Sequence, residues 1–302
     1  MAIVLRYVFV LFLLVTTHAF AAEAAKVSWP SALEVLQGQI AELKVTGENL
    51  VKVEGRKGKE VLYFASNGSG VHTALLGVDV EAKPAQLKLS LKAFDDTGLQ
   101  LHAEIPLTIK ANAYHKESFN VPPSFDQMTP ETLAEIRREQ AAFAKAFATT
   151  AQERFWETPF ARPVPQEASA SSFGARRVIN GVPRPPHTGT DLSSPTGTEV
   201  VASNHGRVVL VGHFFFAGGS VVIDHGGGLY SMYFHLSEFR VDEGAMVRRG
   251  DVVALSGGTG RVTGPHLHWG IRLNNTRVDP LDLLRKFGAP PSNPAASTKA
   301  DK

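Results

Sequence analysis

The chain has 302 residues, of which 43% are apolar and 20% are charged, so it can bury a core and is not an intrinsically disordered polymer. Its 31 basic and 29 acidic side chains nearly balance, so no charge excess points to nucleic acid as a partner. The lack of cysteine excludes disulfide scaffolds, thiolate zinc sites, iron–sulfur clusters and thiol nucleophiles. Seven of the 11 histidines lie between His187 and His268, which makes this segment the candidate functional site.

Residues 1–21 have the pattern of a secretory signal peptide. Arg6 precedes an apolar run over residues 7–15, and Ala19-Phe20-Ala21 supplies the small residues of a cleavage site. The run is short for an uncleaved membrane anchor, and no later segment is long and apolar enough to cross a bilayer. We therefore expect cleavage after Ala21 and an exported chain without a transmembrane segment. The expected location is the periplasm, or otherwise the cell wall or the medium.

Residues 22–115 have the pattern of a β-sandwich domain of immunoglobulin-like size. Apolar and polar residues alternate with a period of two over residues 40–45 and 87–92, which predicts strands. Turn-forming runs such as Asn67-Gly68-Ser69-Gly70 separate the strands. The pattern predicts about seven short strands, as in a sandwich. His72 and His102 stand alone in this region and are expected to be solvated strand residues.

Residues 116–170 are predicted to be a helical and Pro-rich linker. Thr129-Pro130-Glu131 combines a hydroxyl N-cap, a proline at the first helical position and an acid in the first turn. Apolar residues follow at helical spacing, which predicts an amphipathic helix over about 130–150 that packs as a strut between two domains. The Pro-rich residues 157–170 complete this linker.

Residues 171–288 are rich in glycine and in strand-like segments, which predicts a second, antiparallel β domain. The only helical pattern in this region begins at Pro280. Residues 289–302 are expected to form a disordered tail. The predicted fold class is therefore all-β, with two domains joined by an amphipathic helix.

Two short motifs in the second domain can supply metal ligands. His266 and His268 are two apart on a predicted strand, so their side chains point to the same face. His187 and Asp191 are four apart, again an even spacing if the segment is extended. Zinc accepts both imidazole nitrogen and carboxylate oxygen, and a catalytic zinc has three protein ligands. The spacing does not decide which member of the histidine pair is a ligand. The other member, and His235 on a separate predicted strand, would remain free for proton transfer.

These motifs, in this order, resemble the lysostaphin/LytM-type zinc metallopeptidase family. The matching segments are residues 172–176, 187–191, 197–200, 224–226, 233–237, 257–260, 263–268 and 278–280. The resemblance implies a LytM-type metallopeptidase domain over residues 171–288. The preceding β domain and helix also resemble an arrangement in bacterial members of the family.

Carried over by position, the resemblance implies that His187, Asp191 and His268 hold one Zn²⁺ per chain. His235 and His266 would then be the free catalytic histidines. The implied activity is hydrolysis of peptide bonds in the stems or cross-links of bacterial peptidoglycan by zinc-activated water. Peptidoglycan is thus the expected partner molecule, and a cell-wall or envelope protein is a candidate partner for the N-terminal domain.

Four further sequence features concern the surroundings of these motifs. Gly270 stands where many family members have Glu, so a changed groove wall is expected. No Tyr lies between Phe173 and His187, where some members have an oxyanion donor, and Arg176 or Asn180 is the candidate substitute. The Gly-rich residues 257–260 lack the Lys and the helix of a phosphate-binding loop and predict a flexible loop beside the groove. His225 is interpreted as a turn residue near the site.

Two other functions remain open from the sequence. Some relatives have lost ligands and act as non-catalytic activators of cell-wall amidases, but all five metal and catalytic positions are filled here, which favours the enzyme. The second alternative is a zinc endopeptidase that acts on host or scavenged protein. The sequence also leaves the bond open, since both a D-Ala–diaminopimelate cross-link and a Gly-rich bridge fit.

Overall fold

The computed structural model describes residues 26–122, 128–148, 151–165 and 172–288. The predicted signal peptide and the predicted disordered tail lie outside these residues. Within the described residues, no helix combines the length and the apolar character needed to cross a membrane.

The N-terminal domain is a sandwich of two β-sheets, as predicted. Its strands are β1 (Val27–Ser28), β2 (Leu33–Leu36), β3 (Ile40–Gly47), β4 (Leu50–Lys57), β5 (Glu60–Leu62), β6 (Ala65–Ser66), β7 (Val71–Gly77), β8 (Ala85–Asp95) and β9 (Gln100–Lys110). One sheet has the order β1-β3-β7-β6 and the other the order β2-β9-β8-β4-β5. Alternate residues of β8 and β9 are buried in the core between the sheets, including Leu89, Leu91 and Leu107. The period-two pattern in the sequence therefore reflects one buried face per sheet.

The expectation for His72 is wrong. Its side chain is only 2% exposed, because residue 72 faces the sandwich core from β7. The ring nitrogen Nε2 lies 3.2 Å from the carbonyl oxygen of Leu50, which satisfies a buried polar atom. His102, by contrast, is exposed as expected.

The remaining elements form the second domain and the segment before it. They are β10 (Lys116–Phe119), α1 (Pro130–Ala148), β11 (Arg176–Ile179), β12 (Val182–Pro183), β13 (Thr190–Ser193), β14 (Glu199–Val201), β15 (Gly206–Phe214), β16 (Gly218–Asp224), β17 (Leu229–Leu236), β18 (Glu238–Phe239), β19 (Met246–Val247), β20 (Val252–Leu255), β21 (His266–Leu273), β22 (Thr276–Val278) and α2 (Pro280–Phe287). The main sheet has the order β13-β21-β17-β16-β15-β19, with β22 also paired to β21. Its strand pairs are antiparallel, as predicted.

The two faces of the main sheet have different environments. Leu267, Trp269 and Tyr233 turn to one face and are fully buried in the domain core. The residues between them in sequence, such as His268 and Phe234, turn to the opposite face because side chains alternate along a strand. The sheet therefore presents one face to the core and leaves the other for helix α1 and for the site described below.

Residues 116–119, which the sequence places in the linker, form strand β10. This strand pairs in parallel with β11, and Glu117 lies opposite Arg177. Three of its four residues are exposed, so it lacks the apolar pattern that predicts a strand. The segment that leaves the sandwich thus borders the second domain as part of a small sheet.

Helix α1 begins as predicted, with the Thr129 hydroxyl accepting a hydrogen bond from the backbone N–H of Thr132 (3.2 Å). Its apolar residues pack on the main sheet of the second domain, where the Phe143 ring lies 4.7 Å from the Phe214 ring and 5.7 Å from the Phe234 ring. Ala146 of the helix is buried in an apolar cluster whose other buried members belong to the second domain, namely Leu210, Val222, Tyr230 and Met232. Helix α1 is therefore a part of that domain's surface more than a strut between domains.

The two domains contact each other directly. Ile40 and Leu75 of the sandwich are buried in the core cluster of the second domain. The backbone N–H of Ile40 donates to the Asp282 carboxylate on α2 (2.9 Å), and Arg277 pairs with Asp79 at 2.7 Å. Apolar burial and charge-assisted hydrogen bonds thus fix the sandwich against β22 and α2.

A buried polar network lies on the core face of the main sheet. His225 is fully buried, and its Nδ1–H donates to the carbonyl oxygen of His205 (2.8 Å). It follows the end of β16 that is remote from His235, so the expectation of a turn residue near the site is wrong. Its Nε2 accepts from the Ser231 hydroxyl (2.7 Å), and Ser231 Oγ lies 2.9 Å from the Tyr233 hydroxyl. Burial lowers the pKa of His225 to about 4, so the ring stays neutral in the folded protein near neutral pH.

This network predicts acid destabilisation. The unfolded chain protonates His225 near pH 6.5, whereas the folded chain does so only near pH 4, so the stability is complete above pH 6.5 and is lost as the pH falls. We expect His225 to contribute about 2 kcal/mol to the drop in the free energy of unfolding between pH 7 and pH 5. Denaturant titrations of the wild type and of His225→Gln should show a smaller drop in the variant. His102→Gln, at an exposed strand position, is the control, and an equal drop in all three proteins would contradict this prediction.

Candidate metal and catalytic site

The structure brings His187, Asp191 and His268 together at one end of the main sheet. His268 Nδ1 lies 2.9 Å from Asp191 Oδ1 and 2.9 Å from His187 Nε2. His187 Nε2 lies 3.2 Å from Asp191 Oδ1. Among the described residues, these three form a cluster whose donor atoms lie close enough together to hold a metal ion.

Strand register places these donors. Strands β13 and β21 pair so that Asp191 lies opposite His268. His187 precedes β13, and its Nδ1–H donates to the carbonyl oxygen of Ser172 (3.0 Å), which leaves Nε2 directed at the other two residues. The Ser172 hydroxyl accepts from the backbone N–H of Asp191 (3.0 Å). A hydrogen bond to the outer ring nitrogen is the usual way in which proteins orient a histidine ligand.

Gly189, between these residues, allows a close approach. A Cβ atom at this position would lie 2.4 Å from His268 Nε2 and 2.7 Å from the Trp269 carbonyl oxygen. Only a glycine therefore lets the His268 ring lie against the segment that carries His187 and Asp191.

His235 and His266, predicted as the free histidines, lie beside the cluster. Their ring centroids are 4.8 Å apart, and His235 is 5.9 Å from the ring of His268. The Nδ1–H of His235 donates to the Thr259 carbonyl (3.0 Å), and that of His266 donates to the Gly264 carbonyl (2.8 Å). These bonds leave Nε2 of each ring free of the backbone, and His266 Nε2 lies 3.7 Å from Asp191 Oδ1.

His235 is held in an uncommon backbone conformation at the end of β17. Its φ of 65° is in the left-handed region, which non-glycine residues rarely adopt outside turns and functional sites. Its backbone N–H donates to the Ala217 carbonyl (2.8 Å) at the tip of the β15–β16 hairpin. The left-handed backbone conformation and the hydrogen bond to Ala217 together fix the direction of the His235 ring.

The Gly-rich residues 257–260 form a loop that is held by hydrogen bonds and positions His235, and not the flexible loop that the sequence predicts. The Thr259 hydroxyl donates to the Leu236 carbonyl and accepts from the backbone N–H of Gly219, both at 2.8 Å. Gly260 has φ of 77°, and a Cβ there would meet the backbone nitrogen of Gly218 at 2.4 Å. Glycine thus lets the loop pack directly on the hairpin, and the Thr259 carbonyl is held where His235 needs an acceptor.

The cluster sets the protonation of its members. Burial opposes the charge on Asp191, yet hydrogen bonds from His187 and His268 hold the pKa of its carboxyl below the usual range. Burial, assisted by the neighbouring rings of His268 and His266, lowers the pKa of His235 to about 4. The site therefore contains one carboxylate and a neutral His235 imidazole near neutral pH.

Neither substitute that the sequence offers for the missing Tyr faces the cluster. The Arg176 guanidinium lies over the Tyr114 ring (5.6 Å) and contacts the Val80 carbonyl, at the contact with the sandwich. The Asn180 side chain accepts from the backbone N–H of Val121 in a turn. Alternation along β11 directs neighbouring side chains to opposite sides, so Arg177, and not Arg176, reaches the site.

Sequence reasoning misses two residues that contact the cluster. The Phe234 ring stacks on the His268 ring, with centroids 5.5 Å apart and an interplanar angle of 4°. Arg177 Nη2 lies 3.5 Å from Asp191 Oδ2. Alternation from a site-facing His235 would direct Phe234 to the core, and the left-handed φ of His235 interrupts that alternation, so no local sequence signal marks either Phe234 or Arg177.

Comparison with known proteins identifies the domain that carries this cluster. Residues 185–280 match the sequence profile of peptidase family M23. The C-terminal domain belongs to peptidase family M23. All five predicted site residues lie within the matched part of this M23 domain.

The M23 domain is similar to curated bacterial proteins. The peptidoglycan DD-endopeptidase ShyA of Vibrio cholerae is 42% identical over 113 residues, which are 37% of this chain and 26% of that protein. The DD-carboxypeptidase/endopeptidase Mpg of Neisseria meningitidis is 43% identical over 97 residues, which are 32% of this chain and 22% of that protein. The chain thus matches about a quarter of the length of these relatives.

One solved structure resembles most of the chain. A Pseudomonas aeruginosa protein described as an M23 peptidase superimposes with a TM-score of 0.62 and 28% identity, over 82% of this chain and 94% of that one. Because this coverage exceeds the M23 domain, the likeness extends to the β-sandwich as well. The two-domain, mainly β architecture is therefore shared with another protein.

The packing of Gly189 against His268 gives a test of the cluster. Gly189→Ala should displace the His268 ring, because the new methyl group and the imidazole cannot occupy the same space. We expect the Kd for Zn²⁺, measured by competition with a chromophoric chelator, to rise by about tenfold or more. The control is Gly258→Ala, whose Cβ would meet its nearest atom at 3.6 Å, an ordinary contact. A folded Gly189→Ala protein with wild-type affinity would contradict the assignment of His268.

Proposed function

We propose that this protein is an exported zinc-dependent endopeptidase that hydrolyses peptide bonds in bacterial peptidoglycan. The observation that carries the proposal is the arrangement of His187, Asp191 and His268, with the rings of His235 and His266 beside them, in an M23 domain. All five positions are filled, which favours an enzyme over a non-catalytic activator of amidases. The signal-peptide pattern of residues 1–21 supports export, with the periplasm as the proposed location.

The donor set fits zinc. Two imidazole nitrogens and one carboxylate oxygen are typical of a catalytic zinc, which takes three protein ligands. The donor atoms lie 2.9 to 3.2 Å apart, close to the spacing of about 3.3 Å expected for ligands around one tetrahedral ion. The chain has no cysteine, so the site is made of nitrogen and oxygen, which suits a hydrolytic zinc more than a closed thiolate one.

When bound, zinc would polarise the scissile carbonyl group and activate a water molecule for attack. The residues of this chain supply the rest of the chemistry. His235 and His266 each have Nδ1–H bound to a backbone carbonyl, so Nε2 carries the free lone pair of the neutral ring. In that state Nε2 can accept a proton from the attacking water, and the resulting imidazolium can donate it to the leaving amine. The protonated ring can also donate a hydrogen bond to the developing oxyanion.

We further propose that the bond cleaved joins D-amino acids in a cross-link, and not a Gly-rich bridge. The support is the similarity to two relatives, a DD-endopeptidase and a DD-carboxypeptidase/endopeptidase. This proposal chooses between the two bonds that the sequence leaves open.

Digestion of purified sacculi tests this function. Sacculi treated with residues 22–302 and Zn²⁺, and then cut with a muramidase, should yield more un-cross-linked muropeptides, identified by mass, and a chelator should abolish this increase. His266→Ala should lower the rate at least about 100-fold, since it removes a proton-transfer group. His213→Ala, an exposed histidine of the same domain, should leave the rate unchanged.

The outcomes separate the alternatives. Intact sacculi together with purified protein that binds no zinc would overturn the enzyme proposal and favour the amidase activator. Degradation of casein with sacculi left intact would favour a protease of another substrate class. Cleavage of glycine bridges, with D,D cross-links left intact, would overturn only the choice of bond.

A further inference from the structure

The Arg177 guanidinium lies between two carboxylates. Its Nε donates to Glu117 Oε2 at 3.2 Å, and its Nη2 contacts Asp191 Oδ2 at 3.5 Å. The Arg177 and Asp191 side chains are each 30% exposed, so the contact is partly shielded from water and is less screened than a surface pair.

The strand pairing outside the main sheet creates this arrangement. Glu117 lies directly opposite Arg177 in the parallel pair of β10 and β11. The other Glu117 oxygen, Oε1, lies 2.9 Å from His115 Nε2. Both oxygens of Glu117 are therefore engaged, and the guanidinium is held from the side that faces away from the cluster.

The two oxygens of Asp191 have separate partners. Oδ1 faces His268 Nδ1 at 2.9 Å and His187 Nε2 at 3.2 Å, whereas Oδ2 faces Arg177. One rotation about the Cβ–Cγ bond moves both oxygens together. A contact that holds Oδ2 therefore also sets the position of Oδ1.

We infer that Arg177 is a positioning residue for the metal ligand Asp191, and that Glu117 of strand β10 orients Arg177 and offsets its charge. This inference rests on the proposed function only in that the metal is held by His187, Asp191 and His268. A guanidinium whose positive charge had no other partner would compete with the metal ion for the negative charge of the Asp191 carboxylate. The Glu117–Arg177 pair instead offers Asp191 a directed hydrogen bond with little net charge.

A double-mutant cycle on the full chain, with Zn²⁺ alone as the probe, tests the inference. We expect Arg177→Met to raise the Kd for Zn²⁺ by about 10- to 100-fold, the range typical of partners that hold a metal ligand. Arg177→Lys should recover part of this loss, because an ammonium group can reach one carboxylate but cannot bridge two. Glu117→Gln should raise the Kd by a smaller factor. In the double variant, Glu117→Gln should not raise the Kd for Zn²⁺ above that of Arg177→Met alone, since both substitutions act through one contact.

The matched controls are Arg240→Met and Glu238→Gln, which break a half-exposed Arg–Glu pair (3.1 Å) elsewhere in the M23 domain. They should leave the Kd unchanged. The inference is overturned if Arg177→Met binds Zn²⁺ within twofold of the wild type, or more tightly, or if the two substitutions act independently. If Arg177→Met does not fold, the other two variants decide. Wild-type Kd values for both Arg177→Lys and Glu117→Gln would then overturn the inference.

The failure of the proposed function has a different signature. A wild-type chain that binds no zinc would overturn the metal site itself. A chain that binds zinc with the expected dependence on Arg177, but leaves sacculi intact, would overturn the peptidoglycan activity and keep this inference.

Discussion

The register between strands β13 and β21 is the constraint on which the site depends. Asp191 lies opposite His268, and Leu192 lies opposite Leu267. Because side chains alternate, this register directs the carboxylate and the imidazole to one face while both leucines, fully buried, enter the core. A slip of one residue in either strand would turn the leucine of that strand toward the cluster and its polar side chain toward the core. The hydrophobic burial of two leucines thereby holds the geometry of two polar groups.

The rings around the cluster are oriented from outside by backbone carbonyls. His187, His235 and His266 each commit Nδ1 to a carbonyl oxygen, those of Ser172, Thr259 and Gly264. These acceptors lie in loops that are fixed by other contacts, as the bonds of the Thr259 hydroxyl show. The directions of the three Nε2 atoms are thus set by the fold itself, which is what preorganisation of a site requires.

The sequence predicts those parts of the molecule that local patterns encode. The even spacing of His266 and His268 indicates a shared face, and the alternation in β8 indicates a half-buried strand. The contacts that sequence reasoning misses are long-range. Arg177 meets Asp191 only because a polar strand, β10, pairs with β11, and no apolar period marks that strand. His72 has the alternation of its neighbours but lies on the buried face, which its residue type does not suggest.

The contact of Ile40 with helix α2 bears on whether the two domains can move independently. The Asp282 and Lys286 side chains bind the backbone N–H and carbonyl of this one residue, while its own side chain lies in the M23 core. Rotation of the sandwich as a rigid body would have to break both bonds and expose Ile40 and Leu75 to water together. These contacts therefore oppose hinge motion between the two domains. A molecule that binds at the His187–Asp191–His268 cluster must then fit surroundings that hinge motion between the domains does not reshape, so the conformational freedom of that molecule becomes a basis for selection.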